Sequence, residues 1–160
     1  MIRENLKDFY NETKRVGPFL GIDLGEKRVG LSISDRTQSI ASNYATLQKK
    51  KFSVFSLELK SIIDKEIICG IVIGLPLNMD GSEGPKCQST RDFAKNFSHV
   101  VDLPITFWDE RLTTVAAERS LLSADLSRKK RKRVVDSVAA VLILQNLLDR
   151  LKYIQHKNTQ

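Results

Sequence analysis

The sequence predicts a mixed α/β fold, in which helices pack on both faces of a single β-sheet. Residues 19–24 and 29–35 alternate apolar with small or polar side chains and are joined by a tight turn, as in two antiparallel strands. Residues 67–74 form an unbroken apolar run, the pattern of a central parallel strand buried on both faces. Helical segments alternate with the later strands. Hairpin strands followed by alternating strands and helices are typical of a mixed sheet covered on both faces.

The first strand carries an unusual charge. Leu20 and Ile22 point to one face of the strand, whereas Gly21 and Asp23 point to the other. A carboxylate in an apolar strand is costly unless a partner compensates it, and a bound cation is a natural partner. Gly25 begins the following turn and is expected to adopt a backbone conformation that only glycine reaches at low cost.

The other elements follow from periodicity and from glycine and proline punctuation. We predict a third strand at residues 40–47, a helix at 52–65, a loop at 75–85, a helix at 86–98, a strand at 103–108, a short helix at 114–122 and a last helix at 134–151. In the last helix, Asp136, Ala140, Ile143 and Leu147 fall on one stripe, so this helix is expected to turn a carboxylate toward the sheet.

At 160 residues the chain is expected to form one domain. We predict a polar N-terminal extension at residues 1–17, the folded domain at 18–152 and a short tail at 153–160. No apolar run reaches the roughly 18 residues of a membrane span, and the first residues lack the apolar core of a secretory signal. We therefore expect a soluble, cytoplasmic protein without membrane association, in which Cys69 and Cys87 form no disulfide.

The positive charge of the chain is concentrated in one segment. The formal net charge is +7, and six consecutive basic residues occupy positions 128–133. Outside that segment, 20 basic residues almost balance 19 acidic ones. A dense basic patch attracts phosphate chains, because binding releases their condensed counterions. The expected partner is therefore nucleic acid, although a charge run can also be no more than a solvated face.

Three carboxylates occupy related positions in the predicted fold. Asp23 ends the first strand, Glu110 follows the strand at 103–108, and Asp136 opens the last helix. Since the carboxyl ends of parallel strands meet at one edge of a sheet, these groups can converge there. Carboxylates suit Mg²⁺ or Mn²⁺, and two such ions about 4 Å apart can promote phosphodiester hydrolysis. The alternative interpretation is separate surface ion pairs with neighbouring basic residues, namely Arg28, Arg111 and Lys132.

Four motifs appear together and in order. They are GIDLGEKRVG at residues 21–30, GLPLNMDGSEG at 74–84, DERLTT at 109–114 and DSVAAVLILQ at 136–145. In this combination and spacing the chain resembles the YqgF-type family, Holliday-junction-resolvase-like nucleases of the ribonuclease H superfamily. The resemblance covers most of the chain, from about residue 19 to residue 149.

The resemblance implies a ribonuclease H-like fold with a five-stranded sheet whose second strand is antiparallel to the others. It implies three catalytic acids that also bind the metal, namely Asp23, Glu110 and Asp136. It further implies three contacts to substrate phosphates, namely Arg28, Arg111 and Lys132. Asn78, in the loop at 75–85, is expected either to contact substrate or to cap a turn.

The family resemblance implies a metal-dependent nuclease that matures the 5′ end of the small-subunit ribosomal RNA precursor, pre-16S rRNA. An older assignment, the resolution of four-way DNA junctions, stays open, because phosphate contacts do not report the sugar. A nucleic-acid-binding module without catalysis is the third hypothesis. The expected partners are structured RNA or branched DNA and proteins of the assembling ribosome, and the expected state is a monomer or a weak homodimer.

Overall fold

The computed structural model describes residues 1–13, 17–112 and 128–159, with side chains described from Ser137 onward in the last range. The helices are α1 (Leu6–Glu12), α2 (Phe52–Glu66), α3 (Pro85–Phe97) and α4 (Arg128–Asn158). The strands are β1 (Phe19–Leu24), β2 (Arg28–Ser34), β3 (Ala41–Gln48), β4 (Gly70–Leu75) and β5 (Ile105–Asp109). A 3₁₀ turn, Glu110–Leu112, follows β5 directly.

The strands form one five-stranded sheet in the order β3-β2-β1-β4-β5. Strand β2 pairs antiparallel with both β1 and β3, whereas β1 pairs parallel with β4, and β4 with β5. The second strand therefore runs opposite to the other four, as the family resemblance implied. The predicted mixed α/β fold with helices on both faces is confirmed.

Two apolar clusters cover the two faces of the sheet. On one face, Ile22 of β1 and Ile73 of β4 pack in a cluster with α2 and α3. On the other face, Phe19 of β1 and Val72 of β4 pack in a cluster with α1 and α4. Alternation along the strands therefore decides which helix a side chain meets. Asp23, two residues after Gly21 and four after Phe19, lies on the face that α4 covers.

Helix α4 lies unusually close to the sheet. The Ser32 hydroxyl donates a hydrogen bond of 2.6 Å to the Ala140 carbonyl. A Cβ on Gly21 would lie 2.9 Å from the Cβ of Leu144, so the missing side chain lets the helix approach. Gln145, farther along α4, accepts a hydrogen bond from the Ala41 N–H, and Ala41 pairs with Ser34, whose hydroxyl accepts from the N–H of Phe19 at the start of β1. The helix therefore runs antiparallel to β1, and its first turns lie toward the carboxyl end of that strand.

The N-terminal extension packs onto the body of the domain. Phe9 of α1 is fully buried, with its ring centroid 5.6 Å from that of Phe19. Ile2 forms a parallel bridge with Ile105, and the Arg3 N–H donates to the Ile105 carbonyl at 2.7 Å. The first residues thus cover the outer edge of β5. An uncovered edge strand can pair with another chain, and this contact prevents such pairing.

Three sequence-based expectations need correction. Strand β4 begins at Gly70 rather than at residue 67, because Ile67 takes a left-handed conformation (φ 55°) that ends α2. Gly25 has no positive φ; a Cβ there would instead lie 2.6 Å from the Arg28 carbonyl oxygen, so the turn needs space rather than a special dihedral angle. Helix α4 extends beyond the predicted range of 134–151 at both ends.

Other expectations have simpler outcomes. The predicted short helix at residues 114–122 lies outside the described residues. Cys69 and Cys87 are both buried, and no disulfide joins them. Among the described residues, no helix combines the length and apolar character needed to cross a bilayer.

Candidate active site

A cleft of about 370 Å³ opens at the carboxyl edge of the sheet. Asp23 from the end of β1 and Glu110 from the turn after β5 both line it. Parallel pairing through β4 carries the ends of these two strands to the same edge. The structure therefore brings together two of the three carboxylates that the sequence singled out.

Asp23 is only 4% exposed. In the antiparallel register it faces Gly30, so no side chain from β2 crowds it on that side. On the β4 side, Ile22 pairs with Ile73, which places Gly74 next to Asp23. Two neighbouring glycines thus leave room around a buried carboxylate at the mouth of the cleft.

Glu110 reaches its place because Gly74 has no side chain. A Cβ at this position would lie 2.7 Å from Oε1 of Glu110, which is shorter than a van der Waals contact. The same glycine pairs with Trp108 in the β4–β5 register, and Trp108 precedes Glu110 by two residues. Trp108 itself is buried in the cluster under α4, so it is a core residue rather than a surface for stacking on bases.

The third predicted acid, Asp136, lies in α4 one turn before the buried Ala140. Its side chain and that of Lys132 fall outside the described residues, as do the side chains of the basic run at 128–133. Among the side chains that are described, no group of three His, Cys, Asp or Glu is placed to hold a metal ion. Asp23 and Glu110 are hard oxygen donors, the ligand type that suits Mg²⁺ or Mn²⁺.

Of the predicted phosphate contacts, Arg28 lies two residues before Gly30, which pairs with Asp23. It begins β2 on the face that α4 covers, and its Nη1 is buried without a hydrogen-bond partner among the described residues. Buried guanidinium N–H groups normally have an acceptor, so the lack of one among the described residues makes Arg28 a candidate for a ligand contact.

Arg111 is held by protein groups. Its Nε and Nη2 donate to the Asp109 carboxylate at distances of 2.8–3.2 Å, and Nη1 donates to the Met79 carbonyl at 3.3 Å. The Arg111 guanidinium lowers the pKa of Asp109 below its ordinary value, so Asp109 stays ionised and the pair persists. Arg111 thus ties the turn after β5 to the loop after β4. The ion pair at this place is with Asp109, whereas the sequence suggested Glu110.

Asn78 belongs to a tight turn in the loop after β4. Its Nδ2 donates to the Ser82 hydroxyl at 2.9 Å, and its carbonyl accepts from the Gly81 N–H. Asp80 accepts from both the N–H and the hydroxyl of Ser82, and these bonds lower the pKa of Asp80. Of the two roles expected for Asn78, the structure shows the one within the turn.

Sequence reasoning missed two lysines that line the cleft, Lys49 and Lys86. Lys86 lies in the first turn of α3, and the rule that sites form at the carboxyl ends of parallel strands could have indicated it. Lys49 follows β3, and its place depends on the β2–β3 register, which includes a bulge between Leu31 and Ser32. No sequence signal specified that register.

Comparison with known proteins identifies the family of this chain. The family model described as "RuvX: Holliday junction resolvase" matches residues 17–150. This chain belongs to the RuvX family. A relative named "Putative pre-16S rRNA nuclease" in Ruegeria sp. (strain TM1040) is 53% identical to this RuvX chain over 97% of its length and 99% of the relative's. The protein of the same name in Rhodobacter capsulatus is 51% identical, over 96% and 97% of the two chains.

A solved structure agrees with this RuvX assignment at the level of the fold. The structure described as "T. thermophilus RuvC in complex with Holliday junction substrate" superposes with a TM-score of 0.54 at 9% identity, over 84% of this chain and 96% of that one. The ribonuclease H-like fold and the prediction of a hydrolytic nuclease are confirmed. A nuclease of this fold depends in general on a divalent metal ion and acts on nucleic acid.

Proposed function

We propose that this RuvX chain hydrolyses phosphodiester bonds of pre-16S rRNA and so matures its 5′ end. The observation that carries the proposal is the meeting of Asp23 and Glu110 at one cleft, in a chain about half identical to relatives named for this activity. Their two strands are far apart in sequence, so only the sheet topology brings these acids together.

In the proposed site, Asp23, Glu110 and Asp136 are the catalytic acids and hold Mg²⁺ or Mn²⁺. The donor set supports this, because Asp23 is an almost fully buried carboxylate beside a second one. Asp136 precedes the buried residues Ala140 by four positions and Ile143 by seven, and this helical spacing supports its inclusion with the other two acids. When bound, the metal would activate water and stabilise the leaving oxygen of the phosphodiester.

The protein groups around the acids bind and orient the nucleic acid. Arg28 contacts a phosphate through Nη1, which has no hydrogen-bond partner among the described residues, and Lys132 contacts the scissile phosphate from the first turns of α4. Arg111 positions the loop after β4, and the exposed part of its guanidinium contacts a phosphate. Asn78 shapes the turn in this loop that faces the substrate. The basic run at 128–133 adds attraction that does not depend on sequence.

We further propose that residues 18–152 form the nuclease domain, with residues 1–17 as an extension and 153–160 as a tail. The protein acts in the cytoplasm as a monomer or weak homodimer, beside proteins of the assembling ribosome. A monomer suffices for trimming one RNA end, whereas cutting two symmetric strands would favour a dimer.

Cleavage of a 5′-extended pre-16S rRNA fragment with Mg²⁺ or Mn²⁺ tests the proposal. Asp23→Asn keeps the shape of the side chain but removes its charge, so it should lose cleavage and keep RNA binding. Asp64→Asn is the matched control, because Asp64 lies on the exposed side of α2 and pairs with Lys60 at 3.7 Å. Ordinary metal-dependent cleavage by Asp23→Asn would contradict the proposed site.

A second candidate substrate is branched DNA, which the description of the matched RuvX family model favours. Phosphate contacts serve RNA and DNA alike, so the same carboxylates would act on both. Cleavage of a four-way DNA junction and of the rRNA fragment at equal concentrations distinguishes them. Binding of either without cleavage by the wild type would instead support a binding module.

A further inference from the structure

Two lysines from different elements of the fold line the cleft. Lys49 extends from the segment after β3, and its Nζ donates to the Gly25 carbonyl at 3.3 Å, at the end of β1. Lys86 extends from the first turn of α3, where its Nζ lies 3.6 Å from Oε1 of Glu26 in the β1–β2 turn. Both ammonium groups therefore border the β1–β2 turn, immediately after the strand that carries Asp23.

Neither ammonium group is strongly engaged. Among the described residues, Lys49 contacts a neutral carbonyl, which leaves its charge uncompensated. The side chains of Lys86 and Glu26 are 75% and 79% exposed, and exposed pairs of this kind contribute little to stability. A phosphate can therefore replace the Gly25 carbonyl and the Glu26 carboxylate as partners of the two lysines at a small cost in free energy. Of these two, the Glu26 carboxylate is the charged group that the phosphate has to displace.

The lysines and α4 lie on opposite sides of the carboxylates. Helix α3, which carries Lys86, packs in the cluster on one face of the sheet, as does Leu47, two residues before Lys49, whereas α4 packs on the other face. Asp23 and Glu110 lie at the sheet edge between them. A nucleic-acid strand that crosses this edge at the carboxylates must pass α4 on one side and the two lysines on the other.

We propose that Lys49 and Lys86 bind a backbone phosphate next to the scissile one, on the α3 side, and that Glu26 holds Lys86 until this phosphate displaces it. The inference rests on the proposed function in requiring a nucleic-acid substrate, but it holds for RNA and DNA alike. Bound this way, the strand is fixed across the edge of the sheet, and its scissile phosphate is oriented toward the carboxylates.

Binding measured against salt concentration tests the inference. The ligands are the 5′-extended rRNA fragment and a four-way DNA junction, and the protein is the full chain carrying Asp23→Asn to prevent cleavage. Loss of one phosphate contact reduces the slope of log Kd against log salt by about 0.7 to 1. Lys49→Gln and Lys86→Gln should each show this reduction and bind about threefold or more weakly at low salt.

Glu26→Gln should act in the opposite direction. Removing the competing carboxylate is expected to tighten binding about twofold to threefold at low salt, and this gain should vanish when Lys86→Gln is also present. The matched controls are Lys50→Gln and Glu58→Gln, which break another surface pair, at 2.7 Å, that does not line the cleft. Neither control should change the slope.

The outcomes separate the inference from the proposed function. Unchanged slopes for both cleft lysines, in a protein that binds and whose wild type cleaves, would overturn the inference alone. Reduced slopes in a protein whose wild type cleaves neither ligand would support the inference and contradict the proposed catalysis. Failure to bind either ligand at low salt would contradict both.

Discussion

Gly74 and Glu110 contact each other at the carboxyl edge of the sheet, where a Cβ on the glycine would lie 2.7 Å from the carboxylate Oε1. The same Cβ would also meet the tip of Ile143 in α4. Both neighbours are the far ends of flexible side chains, so the backbone can stay in place when they move. Gly74 therefore controls the position of a proposed catalytic acid without touching substrate itself.

Gly74→Ala is expected to impair cleavage more than folding. Displacing Glu110 by about 1 Å from its productive position lowers the cleavage rate between about 10-fold and 100-fold. Repacking of Ile143 costs about 1–3 kcal/mol of unfolding free energy, which leaves the protein folded. The measurements are single-turnover cleavage and thermal unfolding. Gly84→Ala is the control, because a Cβ there makes only ordinary contacts, the nearest at 3.5 Å. Equal cleavage rates for the two variants would contradict the role given to Gly74.

The strand order explains how far the sequence could predict the site. Asp23 lies at the end of one predicted strand and Glu110 directly follows another, and the rule for parallel strands brought them to one edge. Lys49 and Arg111 could not be placed in this way. The position of Lys49 depends on a register with a bulge, and the choice of Asp109 over Glu110 as the partner of Arg111 depends on side-chain geometry within one turn.

In the helices too, some features could be predicted from the sequence and others could not. The stripe of Ala140, Ile143 and Leu147 predicted which side of α4 is buried, and all three are fully buried. The end of α2 could not be read from the apolar run, because Ile67 looks like a strand residue but takes a left-handed conformation and is 74% exposed. Hydrophobic periodicity identifies faces well, whereas element ends depend on local backbone geometry.

Gly21→Ala should destabilise the fold. The added Cβ would meet the Leu144 Cβ at 2.9 Å and the Ala140 carbonyl oxygen at 3.1 Å, atoms fixed close to the α4 backbone. The helix must shift away, which costs about 1–3 kcal/mol or more. At this chain length each kcal/mol lowers Tm by about 2–4 °C, which thermal unfolding can resolve. The close approach of α4 would be contradicted if Gly21→Ala melted at the wild-type temperature.

Titration of the Asp35 carboxylate is expected to account for part of the loss of stability at acid pH. The Thr37 hydroxyl, followed by the N–H groups of Ile40 and Ser39, donates to its carboxylate and lowers its pKa from 3.8 to about 2. A depressed pKa contributes stability above pH 3.8 that is lost as the pH falls toward 2. Asp35→Asn removes this titration, so its Tm should fall less than that of the wild type between pH 5 and pH 2. Parallel Tm curves would show that Asp35 does not contribute.

Both thiols should resist modification in the folded protein. Cys87 is fully buried, and burial, followed by its hydrogen bond to Glu83, raises its pKa to about 11. Cys69 is 8% exposed, and its Sγ donates to the Gly17 carbonyl at 3.2 Å. Because the thiolate is the reactive form, a disulfide reagent such as DTNB at pH 8 should label both only after unfolding in guanidinium chloride. Rapid labelling of the native protein would contradict this burial.

The Phe9→Ala variant tests whether the N-terminal extension unfolds cooperatively with the rest of the chain. Its ring is fully buried against Phe19, in the same cluster as Leu151 of α4. Phe9→Ala leaves a cavity between α1, the sheet and α4, and such truncations cost about 3–5 kcal/mol. Leu57→Ala is the control, because Leu57 is 65% exposed on α2 and should change little.

The fall in the Tm of Phe9→Ala shows whether α1 unfolds together with the domain or separately from it. If α1 unfolds together with the domain, Tm should fall by at least about 6 °C and the transition should stay single. If α1 detached on its own, the main transition would stay at the wild-type temperature, and hydrogen exchange would be fast only in residues 1–13. The bridge of Ile2 to Ile105 and the burial of Phe9 join the extension to both an edge strand and a core cluster, which favours the first result.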